Sequence, residues 1–586
     1  MSDDLNKIKE RKKQWEEGPL KKALKRYPFL QEPPTKFYSP IDRENKKNDF
    51  LEKIGFPGEY PFTSGTYPTE PMAGLIKMSA MPGADQAMAG GGNTRASLYS
   101  GYGTSEDTRD YYKNQIAEGV RQGPNLAMDL PTQCGYDSDN PMVEGEVGKV
   151  GVSIDTLRDY EIVYEPYQGD INLDQIASNF TINAPAGFFM GMYVALAQNR
   201  GIPVEKLKAT PQNDILKEFV ARGTYIFPPR PSIRLFRDTL VFITKNMPRT
   251  NITSLGGYHM REAGATREQD LAFSMANVIE YFQAGVDAGV DIDAFAPRIS
   301  FNAFGGSMEM LKEVAFHRAA RRMYARIVKE RFGAKNPKSM IIKVPVSAHI
   351  GCSRTTLQRP LNNLTRAVVG AVAGALSGGM PAAFPPYDEP LGLGWSLEAQ
   401  QLMRDATKII MCEAKLLDVT DPFAGSYCME QLTDEIEEAA QKELNKIEEM
   451  GGMVRAIEEG YIQKCIGQSA HEMQKRIENG EELLVGVNCF TGENELEVAT
   501  ERLVDHPYDS SKREEAEEKQ KKQLTQLKKS RDNRNVGKVL KDLENAAKDE
   551  SINLMPFFID CAKAYASEQE VCDVLRDIFG EYKPTN

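Results

Sequence analysis

No two histidines in this sequence stand close enough to form a metal-binding pair: His259, His317, His349, His471 and His506 contain no HExxH. A catalytic metal held by this chain is therefore not expected. The eight cysteines include no CxxC pair, which excludes a zinc ribbon or a disulfide framework and points to reduced thiols in a cytoplasmic protein. No run approaches the roughly 20 apolar residues of a membrane span. The first eighteen residues, MSDDLNKIKERKKQWEEG, lack the apolar core of a signal peptide. A net charge of −12 disfavours a nucleic-acid footprint while leaving room for a local phosphate pocket.

What is present suits a large globular protein. With 586 residues, 41% hydrophobic and 27% charged, more than one compact unit is expected. Residues 1–93 read as an extended arm followed by a Gly/Ala/Met-rich loop, Met72 to Asn93, which contains GGG at 90–92. Short apolar runs then alternate with helical patterns: 125–130, 177–182, 208–210, 251–255, 294–300, 340–346, 380–384 and 416–420. The clearest helix begins with the capping-box pattern Thr266–Arg267–Glu268–Gln269 and places Leu271, Met275, Val278, Phe282 and Val286 on one face. Eight βα units predict a (β/α)8 TIM barrel over residues 94–430. A helical extension over 431–506 and a C-terminal helical region over 507–586 follow. Within the last, the Lys/Glu-rich run after Pro507 reads as a solvated helix or linker.

Barrel enzymes carry their sites at the carboxyl ends of the strands. Those positions hold Gln212 after strand three, with Arg222 ten residues on, and His259 after strand four. Arg298 and Ser300 fall at the end of strand five, Ser347 and His349 after six, and Asp388 with Glu389 after seven. The set is polar and cationic, suited to an anionic ligand. VEGEVGKVG, around Gly148 and Lys149, lacks the spacing of a phosphate loop and reads as a solvent-exposed turn.

Gln212, Arg222, His259, Arg298 and Ser300 lie within blocks that, with others along the chain, resemble the methylmalonyl-CoA mutase superfamily: GFPGEYPFTSGTYPT (55–69), YSGYGT (99–104), GYDSDNP (135–141), QNDILKEFVARGTYIFPP (212–229), GGYHMREAGAT (256–266), DAFAPRISF (293–301), GAKNPKS (333–339) and DPFAGSY (421–427). The resemblance implies an adenosylcobalamin-dependent acyl-CoA mutase. It matches Tyr99 to the tyrosine between cobalamin and substrate, Arg222 to the arginine that pairs with a substrate carboxylate, and Gln212 and His259 to residues that polarise the thioester carbonyl. It matches Arg298 and Ser300 to coenzyme A contacts, and Glu262 and Glu389 to residues lining the cofactor. Tyr67, Thr69, Arg95, Ser347 and His349 join the expected substrate and coenzyme A contacts. Each has an alternative: Tyr99 as packed aromatic, His259 as structural histidine, Arg222 as partner of Glu218 one helical turn away, and Glu262 and Glu389 as surface carboxylates.

Departures from the family pattern also stand out. Ser64 replaces an arginine, the Met72–Asn93 stretch replaces a basic and aromatic segment, and Ser347 and His349 replace His and Gln. MPAAFPPYDE, starting at Met380, replaces a more polar run. A remodelled, more apolar acyl pocket with its carboxylate anchor kept implies a dicarboxylic acyl-CoA, of methylmalonyl-/succinyl-CoA type or a bulkier substituted succinyl-CoA. The alternatives are a branched monocarboxylic acyl-CoA, a non-catalytic scaffold subunit, or a cofactor-independent lyase. No DxHxxG is present, and no histidine has Asp two residues before it. The cobalt ligand is accordingly expected on a separate small subunit, in a heterotetramer or other hetero-oligomer.

Overall fold

A computed structural model describes residues 2–26, 50–67, 101, 103–117, 123–343, 348–350, 355–378, 387–388, 390, 397–416, 419–492 and 513–584. Six parallel strands run in chain order: β1 Asn125–Ala127, β2 Ala177–Thr181, β3 Lys208–Pro211, β4 Thr253–Gly256, β5 Ile299–Gly306 and β6 Ala348–Ile350. They form two three-stranded sheets, β1-β2-β3 and β4-β5-β6. Backbone bonds from Asn251 N to Ala209 O (2.8 Å) and from Ser254 N to Gln212 O (2.9 Å) join the two. The result is a continuous wall of consecutive parallel strands, the arrangement that right-handed βα units generate. Closure into a full barrel is not seen among the described residues. The expected seventh strand, 380–384, lies outside them, and 416–420 shows no strand where it is described.

Helices follow the strands: α1 Leu157–Val163, α2 Ala186–Asn199, α3 Pro229–Asn246, α4 Tyr258–Glu262, α5 Arg267–Asp287, α6 Met310–Arg326 and α7 Asn362–Leu376. Thr266 caps α5 with a complete capping box, as its sequence pattern predicts. Leu271, Met275, Val278 and Phe282 are buried, whereas Val286 is 38% exposed. The helices cover one face of the wall, where Phe180 packs against Tyr160 and Tyr193.

The opposite face differs from a usual barrel interior of branched apolar side chains. There Asn179 is exposed, and Thr210, Ser254 and Ser300 are partly exposed. Asn179 pairs in register with Thr210, and Ser254 with Ser300. A run of small polar residues thus crosses four neighbouring strands.

Beyond the wall lie α8 Tyr427–Glu449, α9 Arg513–Ser530, α10 Asn533–Ala547, α11 Met555–Lys563 and α12 Glu568–Phe579. Helix α2 is apolar on all sides because α11 packs along its outer face. Phe558 comes so close that a Cβ on Gly187 or Gly191 would lie 3.0 Å from it. The Lys/Glu-rich run is a helix, as one of its two expected readings has it, but it is docked rather than solvated on all sides. Helix α9 buries Ala516 and Leu524, and Gln520 donates to Asp155 (2.8 Å) and Asp159 (3.0 Å). Periodicity shows the charged face of such a helix but not the buried acids that receive its polar stripe.

Two strand expectations shift. Residues 294–298 finish short helical turns, and β5 begins only at Ile299. Strand six is described at Ala348–Ile350; of the expected 340–346, residues 340–343 show no strand, although Lys343 O accepts from Phe301 N at 3.0 Å, and 344–346 lie outside the described residues. The turn at 144–149 is also not wholly exposed: Val147 and Gly148 are buried, and Gly148 N donates to Asp129 at 2.7 Å.

Candidate active site

The β3 ladder ends at Pro211. Gln212 O still accepts from Ser254 N, and Asn213 then turns the chain with φ 45°, a left-handed conformation that asparagine tolerates. The turn drives Gln212, Asp214, Lys217 and Glu218 into the interior, all less than 9% exposed. Glu218 is the hub of this cluster. Its Oε1 accepts from Asn183 Nδ2 (2.7 Å), from Lys217 Nζ, and from Arg222 Nη1 at 3.4 Å. Its Oε2 accepts from Thr224 N (3.1 Å) and Thr224 Oγ1 (2.6 Å). Burial would raise its pKa, but Lys217 and Arg222 outweigh that and hold the carboxyl below the ordinary glutamate value.

Gln212 Oε1 accepts from Asn183 Nδ2 (2.8 Å) and Lys217 Nζ (3.3 Å). Arg222 is thus bound to Glu218, and Gln212 is linked to the same carboxylate through Asn183 and Lys217. The short helix α4, carrying His259 and Glu262 three residues apart on one face, packs directly on the Glu218–Arg222 turn. The His259 ring lies 3.9 Å from that of Tyr258.

Glycines at the end of β4 make this approach possible: a Cβ on Gly256 would lie 3.1 Å from His259 Nδ1, and one on Gly257 would overlap Asp270 Oδ1. Arg261, on the reverse side of α4, donates to Glu313 at 3.1 Å and lies against Gly305 at the end of β5. Beneath the loop, burial raises the Asp270 carboxyl to about 7, with Arg261 opposing. Its oxygens accept from Gly305 N (3.2 Å) and Ser274 Oγ (3.3 Å).

Of the expected site residues, Gln212 and Arg222 fall in one hydrogen-bonded cluster, and the helix that carries His259 and Glu262 packs on its Glu218–Arg222 turn. Arg298 and Ser300 are elsewhere, at the start of β5 rather than its carboxyl end. The Arg298 guanidinium donates to the carbonyls of Ile243, Met247 and Ala294, and Ser300 Oγ donates to Thr253 O at 2.9 Å. Tyr67 is 49% exposed. Tyr99, Thr69, Arg95, Ser347 and Glu389 lie outside the described residues, as does the His349 side chain. Sequence reasoning missed Asn183, Lys217 and Tyr258. Asn183 follows β2, a strand end at which no candidate was sought, and Lys217 shows its role only through its buried partners. Among the described residues no group of three His, Cys, Asp or Glu could hold a metal ion, and no helix is long and apolar enough to cross a membrane.

A parallel βα wall with a polar cluster beyond its carboxyl ends defines a mixed α/β protein with parallel strands. The sequence gives the class more closely: residues 31–581 match the methylmalonyl-CoA mutase family model, which implies a TIM barrel, and the chain belongs to that family of cobalamin-dependent acyl-CoA mutases, which are isomerases. It is 37% identical to the 2-hydroxyisobutanoyl-CoA mutase large subunit of Aquincola tertiaricarbonis over 99% of this chain and 98% of that one. It is also 37% identical to mitochondrial methylmalonyl-CoA mutase of Homo sapiens (93% of this chain, 68% of that one) and to methylmalonyl-CoA mutase of Escherichia coli K12 (83% and 65%).

Proposed function

We propose that this chain is the large subunit of a two-chain adenosylcobalamin-dependent mutase that rearranges the carbon skeleton of a carboxylated acyl-CoA. The observation that carries this reading is the shared cluster of Gln212, Arg222 and His259 beyond the ends of β3 and β4. A planar guanidinium is suited to a substrate carboxylate. The Gln212 amide and the His259 imidazole are donors suited to negative charge on a thioester oxygen.

Residues at this mouth also fit the cofactor. The Glu262 carboxylate and the His259 ring suit the hydroxyl and amino groups of an adenosyl moiety, and Tyr99 and Glu389 are proposed to join them. When bound, the cofactor supplies a carbon-centred radical through homolysis of its cobalt–carbon bond. This chain's part is to hold the acyl group by its carboxylate at Arg222, donate to its carbonyl from Gln212 and His259, and exclude water.

The small polar face of the strand wall suits the arm of coenzyme A. Gly256, against which His259 lies, pairs with Ala303, so contacts at both Ser300 and the His259 loop require a ligand extended by roughly 10 Å along the strands, well within reach of a pantetheine chain. Arg298 at the same end, and Tyr67, Thr69, Arg95, Ser347 and His349, are the proposed remaining contacts. Residues 94–430 would form the catalytic unit, with 1–93 as an arm, 431–506 as a helical extension and 507–586 facing the partner subunit.

A second reading rests on the match across nearly the whole 2-hydroxyisobutanoyl-CoA mutase large subunit: a branched acyl-CoA lacking a second carboxylate. One experiment separates the two. The chain is mixed with adenosylcobalamin and a separate DxHxxG-containing small subunit, and methylmalonyl-, substituted succinyl-, isobutyryl- and 2-hydroxyisobutanoyl-CoA are assayed. Turnover only with the small subunit, and preference for the carboxylated esters, is expected. Preference for the monocarboxylic esters would establish the second reading, and turnover without the small subunit would overturn the two-chain assignment.

A further inference from the structure

Gln212 can polarise a carbonyl only if its amide presents nitrogen, not oxygen, to the ligand. The choice is made by the residues behind it. Asp214 N donates to Asn183 Oδ1 at 3.0 Å. A backbone N–H cannot reverse its polarity, so the oxygen of Asn183 must face it. The two Nδ2 hydrogens of Asn183 are then directed at Gln212 Oε1 (2.8 Å) and Glu218 Oε1 (2.7 Å). On the other flank stands Lys217 Nζ, a group that only donates, 3.3 Å from the same Gln212 oxygen. Two independent donors therefore require the oxygen of Gln212 to face inward. Its Nε2 finds no partner among the described residues and is the edge left for a ligand.

Besides this contact Lys217 pairs with Glu218. Its side chain is fully buried, beside a carboxylate that already holds Asn183, Arg222 and Thr224. Burying an ammonium is costly unless its donors are used, and here they are shared between the Glu218 carboxylate and the Gln212 oxygen.

We propose that Lys217 and Asn183 are positioning residues whose donors lock the Gln212 amide with its N–H2 edge toward the thioester carbonyl of the acyl-CoA. The proposal rests on the reading of Gln212 as a substrate contact. Without the two donors the amide is free to flip, and in the flipped state an oxygen meets the carbonyl oxygen and repels it.

The test is a double-mutant cycle on the complex with its small subunit and adenosylcobalamin, using the best acyl-CoA from the panel. Lys217→Met should lower kcat by about 10²-fold, the usual cost of misplacing a reacting partner by an ångström, with KM changed much less. In a Gln212→Leu background the same substitution should change kcat by less than about 3-fold, because residues acting through one another are not additive. Asn183→Leu, which leaves the Lys217–Glu218 pair intact, should behave alike and serves if Lys217→Met does not fold. An equal loss from Lys217→Met or Asn183→Leu in both backgrounds would make their role structural and overturn the proposal. Wild-type kcat in Gln212→Leu alone would instead remove Gln212 from the site, overturning the functional reading and the proposal with it.

Discussion

The stem of Arg261 lies against Gly305, so that a methyl group added at Gly305 would overlap its Cβ and Cγ. Arg261 belongs to the short helix that carries His259 and Glu262, and its guanidinium is held by Glu313 at 3.1 Å. The end of β5 thereby sets the height of this helix above the wall.

Gly305→Ala should consequently displace α4. A stability cost of about 1–3 kcal/mol is expected from overpacking, together with a loss of more than about 10-fold in kcat from the shifted His259. Urea unfolding and turnover of the reconstituted complex measure the two effects. Wild-type turnover in a folded Gly305→Ala protein would show that the helix position is not critical.

His259→Ala should lower kcat by about 10²–10³, the cost of removing one donor to a developing oxyanion. His259 is only partly buried, so the far-UV CD spectrum should be unchanged. A variant keeping more than half of wild-type kcat would assign His259 a structural role.

Arg222→Gln addresses the acyl group. Glu218 retains Lys217, Asn183 and Thr224 as partners after the substitution, so the cluster should survive. Loss of a desolvated charge partner costs about 2–5 kcal/mol, or roughly 30- to 5000-fold in kcat/KM at about 1.4 kcal/mol per decade. That loss is expected for a carboxylated acyl-CoA and not for isobutyryl-CoA. Equal losses for both would mean that Arg222 acts only through Glu218.

Glu568 begins α12 fully buried, its N–H donating to Asp155 O at 2.8 Å, and neither carboxyl oxygen has a partner among the described residues. Burial raises its pKa well above the ordinary value. Asp137, Asp155 and Asp129 add to the rise, and Arg576 opposes it. The folded state therefore holds a proton that the unfolded chain releases above the ordinary glutamate range, and this group's contribution to stability falls as pH rises toward the folded value. Glu568→Gln should raise Tm at pH 8, with the gain shrinking toward pH 4.5. A gain of the same size at both pH values would show that no proton is linked to folding at this position. Asp155 and Asp159, also raised by burial, should leave a residual pH dependence in the variant.

Much of the candidate site was legible in the chain itself. Gln212 and His259 are singled out by reading past the ends of apolar runs, and the helix of His259 packs on the Glu218–Arg222 turn beyond β3. The Glu218 alternative for Arg222 also proved real: the 3.4 Å contact exists, and it links the arginine to the same hub as Gln212. The ends of strands were less legible. Residues 294–300 have the apolarity of a strand, but a strand's limits are set by which backbone groups its neighbours can pair. Ile252 N binds Arg298 O and Phe301 N binds Lys343 O, which moves the strand forward and leaves Arg298 and Ser300 at its beginning.

The sequence by itself determined the alternation of strands and helices, the capping box of α5, and the family, because these depend on local order and on residue identity at fixed spacing. Only the tertiary structure decided what each charge faces. Lys217 and Glu218 read as two polar residues of an amphipathic turn until Asn183, thirty-five positions before Glu218, closes the cluster. The Lys/Glu-rich helix α9 reads as solvated until Asp155 and Asp159 receive Gln520 from more than 360 positions away. A buried polar group is tolerated only when its partners are in place, and those partners are brought together by the fold, not by neighbours in the chain.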